Sequence, residues 1–251
     1  MNNILAIDIG NTRTKWGVHD GHKWLEQNFL ETAQLSDFPG QLANNKIFNK
    51  INKIYVSSVA DKSLTSALIQ QLQSTAANIQ LVRARTQQCG VANHYDTPEQ
   101  LGSDRWCALI GAHQLRQGSS IVVMAGTAMT VDALTAEGHF LGGIILPGLL
   151  LMQDALHSRT ANLQPEAAAY KSFPTHTQDA IHSGIISASL GAIANMRSAL
   201  QSAGQPNPTC IISGGGAPWL APHIALPVIQ IDNLALEGLL HIAKSESAGA
   251  K

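Results

Sequence analysis

Apolar and polar positions alternate through the first thirty residues of the chain. Ile4-Leu5-Ala6-Ile7 form an apolar run, Asp8 and Gly10-Asn11-Thr12 interrupt it, and Thr14, Trp16 and Val18 then recur at every second position before Asp20-Gly21. Period-two alternation between turn dipeptides predicts a strand, a tight turn, a second strand and another turn. The apolar run Ile54 to Val59 predicts a further strand. Behind it, Leu64, Leu68, Ile69 and Leu72 recur at helical spacing, so a helix is expected over Asp61 to Ser74 with Asp61 as its N-cap. Ile79 to Val82 reads as a strand, and Pro98 to Leu115 as a helix with Pro in its first turn. A strand feeding a helix points to an α/β layer.

The opening pattern returns at Ile121. Ile121-Val122-Val123 lead into a Gly126-Thr127 turn, Met129, Val131 and Ala133 alternate, and a Gly138 turn precedes Leu141 to Leu146. Gly10 and Gly126 occupy equivalent places, as do Thr14 and Thr130. Strand, Gly turn and strand is a common unit, so the echo is either coincidence or a duplicated domain facing itself across a cleft. A helix over about Gln178 to Ala203, a strand over Cys210 to Ser213, a Gly-rich turn and a last helix over about Leu234 to Ala243 favour duplication. Low-complexity linkers are absent, so the boundary falls within Pro98 to Ser120. Two domains are therefore expected, 1–115 and 116–251.

Composition narrows the function classes. Of 251 residues, 45% are hydrophobic and only 13% charged, too apolar for a disordered chain. Sixteen basic residues against seventeen acidic ones give a formal charge of −1, so no net positive field attracts nucleic acid or anionic lipid. Sparse charge also leaves uncharged surface for a subunit interface. Cys89, Cys107 and Cys210 are odd in number and far apart, as expected of reduced thiols in a cytoplasmic protein, and Cys107 sits in an apolar helical stretch suited to a packed thiol. The longest apolar stretch, Leu141 to Met152, contains two Gly and a Pro, so no membrane span and no export signal is expected.

Four segments could carry chemistry. Asp8-Ile9-Gly10-Asn11-Thr12-Arg13-Thr14-Lys15 places a carboxylate at a strand end, then a Gly-Asn turn, hydroxyls and a Lys. Backbone N–H groups at Gly, hydroxyls and Lys suit phosphate oxygens, and the carboxylate suits hydrated Mg²⁺. The same residues also suit a plain hairpin. Gly126-Thr127-Ala128-Met129-Thr130-Val131-Asp132 repeats the turn, and two such turns could clasp one triphosphate. Ser213-Gly214-Gly215-Gly216, at the end of an apolar strand, leaves room for a flat ligand such as a nucleobase. Finally, Asp104 and Arg105 end a polar stretch that begins at Asn93. An ionised Asp accepts a hydroxyl proton and an Arg holds a carboxylate or phosphoryl charge, although adjacent Asp and Arg also occur as a helix-surface pair. Neither HExxH nor GxSxG occurs, and the ten His are scattered, so zinc is not expected.

Together these segments resemble type III pantothenate kinases, members of the acetate and sugar kinase, Hsp70 and actin superfamily. The resemblance covers nearly the whole chain. It rests on Asp8-x-Gly10-Asn11-Thr12-x-x-Lys15, Gly102-x-Asp104-Arg105, Gly126-Thr127-Ala128-x-Thr130-x-Asp132, Gly142-Gly143-x-Ile145-x-Pro147-Gly148 and Ser213-Gly214-Gly215. It implies an α/β fold of duplicated actin-like (ribonuclease H-like) domains facing each other across a nucleotide cleft, and transfer of a phosphoryl group from ATP to the primary hydroxyl of pantothenate, the first step towards coenzyme A. On this resemblance Asp8, Gly10, Asn11, Thr12, Lys15, Thr127, Gly214 and Gly215 bind ATP, and Asp8 places Mg²⁺ through water. Asp104 is the catalytic base. Tyr95, Gly102, Ser103, Asp104, Arg105 and Thr177 contact pantothenate, in a pocket that a second subunit of a homodimer completes.

One position departs from the family pattern. The family usually has an Asp two residues before the Gly of the second phosphate turn, where it binds a monovalent cation, K⁺ or NH₄⁺; here that position is Met124. Two other functions stay open beside the kinase: a non-catalytic nucleotide-binding regulator on the same fold, and a superfamily kinase with another hydroxyl acceptor.

Overall fold

The computed structural model describes residues 3–43, 47–73, 77–159, 168–225 and 227–249. The chain divides into two compact units, Met1–Arg116 with Asn233–Lys251, and Gln117–Asp232.

The first unit opens with β1 (Asn3–Ile9), β2 (Arg13–His19) and β3 (Trp24–Glu31), followed by α1 (Phe38–Ala43), β4 (Ile51–Ser58), α2 (Lys62–Leu72) and β5 (Asn78–Leu81). A small hairpin, β6 (Gln87–Gln88) and β7 (Val91–Asn93), leads to α3 (Ser103–Leu115). The sheet order is β3-β2-β1-β4-β5; β1 and β3 flank β2 antiparallel, whereas β4 runs parallel to both β1 and β5. One face of the sheet is the apolar core: Leu5, Ile7 and Ile9 of β1 meet Val18, Val56, Phe38 and Leu68. Because successive strand residues point to opposite faces, Asp8 lies on the other face. As expected, Asp61 caps α2, accepting the Ser63 N–H at 2.8 Å; Ser74, the expected helix end, lies outside the described residues.

The helix expected from Pro98 begins five residues later. Pro98–Gln100 form a single 3₁₀ turn, Leu101 and Gly102 are extended, and α3 starts at Ser103 with Gly102 as its N-cap. Leu101 is buried, which fixes this break. The consequence is functional, because Asp104 falls in the first helical turn rather than in mid-helix.

The second unit holds β8 (Ser120–Ala125), β9 (Ala128–Leu134), β10 (His139–Pro147), α4 (Leu149–Arg159), α5 (Thr177–Ser202), β11 (Thr209–Ser213), α6 (Ala217–Leu220) and β12 (Val228–Gln230). Its strands follow the order β10-β9-β8-β11-β12, with the first two pairings antiparallel and the last two parallel. That is the topology of the first unit strand for strand. The repeat read from Gly10 and Gly126 is therefore a structural duplication. The second core gathers Ile121, Val123, Val131, Ile186, Ile193 and Ile212.

The last helix, α7 (Leu234–Gly249), corrects the expected domain range of 116–251, because it belongs to the first unit. Two glycines make this packing possible. A Cβ on Gly238 would collide with the Cys107 carbonyl of α3, and a Cβ on Gly111 would lie 2.7 Å from the Leu234 carbonyl. Trp24 Nε1 also donates to Glu237 at 2.8 Å, and Tyr55 Oη to Glu246 at 2.9 Å.

Candidate active site

Two carboxylates meet in the first unit. Asp8 ends β1 and Asp104 stands in the first turn of α3. Burial and the charge of Asp104 push the Asp8 carboxyl up to about 7, against weaker opposing pulls from a Ser57 hydrogen bond and from Lys15, its antiparallel neighbour on β2. Asp8 Oδ1 is itself buried and has no hydrogen-bond partner. Burial also raises Asp104, opposed by the Arg105 backbone N–H, which donates to Asp104 Oδ1 at 2.7 Å, and by the Arg105 guanidinium. A buried carboxylate oxygen without a donor, beside a second carboxylate, is an environment that a divalent cation relieves. These residues fit Mg²⁺. Among the described residues there is no cluster of three or more His, Cys, Asp or Glu placed to hold a metal by side chains alone, which suits an ion held largely by phosphate and water.

Gly102 sets the placement of Asp104. A Cβ there would lie 2.6 Å from Asp104 Oδ1, so only a glycine lets the carboxyl fold back over the helix start. The next residue, Ser103, is buried and its hydroxyl is committed internally: it lies 3.0 Å from Ser57 Oγ, accepts the Ser58 N–H at 3.0 Å and reaches the Ser58 carbonyl at 3.1 Å. What Ser103 offers a ligand is its backbone N–H, free of intrahelical partners at a helix start. Arg105 is buried and donates from Nη1 to the Tyr95 hydroxyl at 3.0 Å, its guanidinium 5.7 Å from the Tyr95 ring centre. Asn93 supports this corner, its side chain accepting the Tyr95 N–H at 3.1 Å and donating to the Pro98 carbonyl at 3.1 Å. Tyr95, Gly102, Ser103, Asp104 and Arg105 thus come together with Asp8.

The first turn is built for backbone exposure. Gly10 N–H donates to the Arg13 carbonyl at 3.1 Å, leaving Asn11 and Thr12 exposed at the tip. Thr32 braces the turn from behind, donating its hydroxyl to the Gly10 carbonyl at 2.8 Å and meeting Thr14 Oγ1 at 3.0 Å. Thr14 is therefore a packing residue rather than a ligand.

In the second unit the equivalent turn has Gly126 N–H bonded to the Ala128 carbonyl at 3.1 Å, with Thr127 exposed. Gly214 adopts φ +103°, and a Cβ on it would lie 2.5 Å from the Ala125 carbonyl, so the glycine run after β11 packs directly on this turn. Met124 pairs in register with Thr130 and Ser213, where Asp8 pairs with Lys15 and Ser57. Its thioether supplies no anionic oxygen for a monovalent cation. Thr177 is exposed at the start of α5, in the second unit. Beyond Gly216 lies a pocket of about 420 Å³ walled by Tyr170, His182, Ile186, Trp219 and His223. The Tyr170 and His223 rings are 4.3 Å apart, and those of His182 and Trp219 5.2 Å apart.

Two residues at this site carry no motif signal. Ser57 and Ser58 end β4, and the only hint in the sequence is that pair of hydroxyls where the strand meets its loop. Cys107, one turn beyond Asp104, is fully buried, and its thiol is held well above its usual range, first by burial and then by the nearby carboxylates. It is a packed thiol, as expected, and no nucleophile.

A family model described as type III pantothenate kinase matches residues 4–199. The chain belongs to this family. The type III pantothenate kinase of Dechloromonas aromatica is 42% identical over 240 residues, 96% of this chain and 98% of that one. Among solved structures, a Campylobacter jejuni protein described as a Baf family transcriptional activator superposes with a TM-score of 0.67 at 21% identity, covering 97% of this chain and 99% of that one. Component A of the (R)-2-hydroxyglutaryl-CoA dehydratase of Acidaminococcus fermentans superposes with a TM-score of 0.57 at 12% identity over the full length of both chains. The fold is actin-like in both units, in agreement with the duplicated topology.

Proposed function

We propose that this kinase phosphorylates pantothenate with ATP, and that the half-buried pair Asp8 and Asp104 carries the reaction. The single observation behind the residue assignment is that pair: one carboxyl with an unpartnered buried oxygen, the other raised by burial at a helix start and flanked by a buried Arg. Asp104 accepts the proton of the pantothenate primary hydroxyl as its oxygen bonds to the γ-phosphorus. The bond between that phosphorus and the β,γ-bridging oxygen breaks, and ADP leaves. A base in a raised range takes the proton more readily than an ordinary carboxylate. Arg105, held by Tyr95, binds the substrate carboxylate through the planar fork that suits it.

Asp8, Gly10, Asn11, Thr12 and Lys15 from the first unit, with Thr127, Gly214 and Gly215 from the second, hold the phosphates and adenosine. Asp8 holds Mg²⁺ through water, and the bound ion supplies charge neutralisation of the phosphate oxygens. The aromatic walls beyond Gly216 suit a flat base. A homodimer is the expected assembly, with a second subunit completing the pantothenate pocket and Thr177 a further substrate contact. In support, Ile145 (63%), Leu150 (73%) and Phe173 (90%) are exposed on the second unit of the single chain. All three cysteines are free thiols, in keeping with a cytoplasmic setting, and no described helix is long and apolar enough to cross a membrane.

The test is turnover with ATP and Mg²⁺ against a panel of hydroxyl acceptors. Phosphopantothenate is the expected product. Nucleotide binding without turnover would instead support a regulator, and turnover only with another acceptor a different kinase.

A further inference from the structure

Ser57 belongs to none of the motifs, yet it stands where the two carboxylate-bearing elements join. It is fully buried near the end of β4, beside Asp8 in the parallel register. Its hydroxyl neighbours the Asp8 carboxyl across the strand pair and lies 3.0 Å from Ser103 Oγ, on the first turn of α3. Ser103 Oγ in turn accepts the Ser58 N–H and reaches the Ser58 carbonyl. Ser57, Ser103 and the Ser58 backbone therefore form one hydrogen-bonded cluster beside Asp8, all within the first unit.

Each hydroxyl has one proton and two lone pairs. Ser103 Oγ accepts the Ser58 N–H and has the Ser57 hydroxyl and the Ser58 carbonyl as its other partners. An ionised Asp8 carboxylate beside Ser57 favours hydroxyl protons turned towards it. The Ser57 and Ser103 hydroxyls are both satisfied, and breaking either bond leaves a buried polar group unpaired.

We propose that Ser57 is a positioning residue for phosphoryl transfer, tying β1 to the start of α3 so that the Asp8 and Asp104 carboxyls keep one fixed separation. Asp104 follows Ser103 directly, so the register of Ser103 on β4 sets that of Asp104. Beside this tie, the buried Asp8 Oδ1 has no hydrogen-bond partner. A displacement of about 1 Å between reacting groups costs on the order of 10²-fold in rate, so a misplaced tie is read mainly in kcat.

The proposal rests on the kinase reading, and its test separates the two. Ser57→Ala and Ser57→Thr are compared with wild type for thermal midpoint, for kcat and both KM values, and for Mn²⁺ affinity measured by electron paramagnetic resonance with a non-hydrolysable ATP analogue. The expected result for Ser57→Ala is a folded protein whose kcat falls about 10- to 100-fold, whose pantothenate KM changes less than about twofold, and whose Mn²⁺ binds about tenfold more weakly. Ser57→Thr, which keeps the hydroxyl, recovers kcat to within about threefold of wild type. A Ser57→Ala kcat within about twofold of wild type overturns the proposal. So does equal loss of kcat in both variants when both are folded. If the extra methyl prevents Ser57→Thr from folding, the Mn²⁺ titration of Ser57→Ala decides, and unchanged affinity overturns the proposal. A wild-type protein that binds Mn²⁺ and nucleotide but phosphorylates no pantothenate refutes the kinase reading, while the Mn²⁺ comparison still judges Ser57.

Discussion

Asp8→Asn should make the protein more stable while it removes activity, and the gain should grow with pH. The Asp8 carboxyl titrates at about 7 in the folded chain against 3.8 unperturbed. A folded-state value above the unfolded one means that the native state holds the proton more tightly. The corresponding stability is present below about pH 3.8 and lost as pH rises through about 7. A shift of about three units at 1.36 kcal/mol each gives roughly 4 kcal/mol, and the partial exposure of Asp8 reduces this to about 2–4 kcal/mol. The amide carries no such cost. Unfolding followed by differential scanning fluorimetry should therefore show little difference near pH 4 and a midpoint roughly 5–10 °C higher for Asp8→Asn at pH 8.5. Mg²⁺ with a non-hydrolysable ATP analogue should recover part of that gap for wild type, because the cation neutralises the ionised carboxyl, and removing Mg²⁺ with a chelator should reopen it. An Asp8→Asn protein less stable than wild type at pH 8.5, or a difference that does not change with pH, would refute the account of this carboxyl.

Three further outcomes follow from the same geometry. Gly102→Ala suits the backbone angles at that position but sets a Cβ against Asp104 Oδ1, so kcat should fall at least about tenfold with a midpoint close to wild type; unaltered kinetics would show that the carboxyl need not lie there. Replacing K⁺ or NH₄⁺ by a bulky organic cation at matched ionic strength should change wild-type activity little, because Met124 offers no anionic oxygen, whereas Met124→Asp should introduce or increase that dependence. Strong K⁺ activation of the wild-type enzyme, beyond an ionic-strength control, would mean that main-chain carbonyls and ATP oxygens hold the cation unaided. Sedimentation should give a dimer, and a fully active monomer would reject a shared pantothenate pocket.

Some of this was legible in the chain because it rests on local periodicity. The Gly10 and Gly126 turns sit between alternating strands, and β10-β9-β8-β11-β12 repeat β3-β2-β1-β4-β5 in order and direction. What could not be read depends on contacts distant in sequence. Asp8 and Asp104 meet only because Ser103 is bonded to Ser57 and Ser58 at the end of β4, and no spacing rule connects those positions. The start of α3 was misplaced because Pro98 is a good first-turn residue, whereas burial of Leu101 and extension at Gly102 delay the helix. Likewise α7 follows the second unit in sequence but packs on α3, because Gly111 and Gly238 let two backbones approach. A glycine in a helix reads as a weak point in sequence, and its packing role shows only in three dimensions.

The base assignment is open to one direct measurement, single-turnover phosphorylation of pantothenate by Asp104→Asn beside wild type, with MgATP affinity measured in parallel. The amide keeps the shape of the side chain and cannot take the hydroxyl proton. The expected result is nucleotide affinity within about twofold of wild type and a rate about 10²–10⁴-fold lower. A rate close to wild type would contradict Asp104 as the base and with it the central claim that the half-buried carboxylate pair performs the transfer.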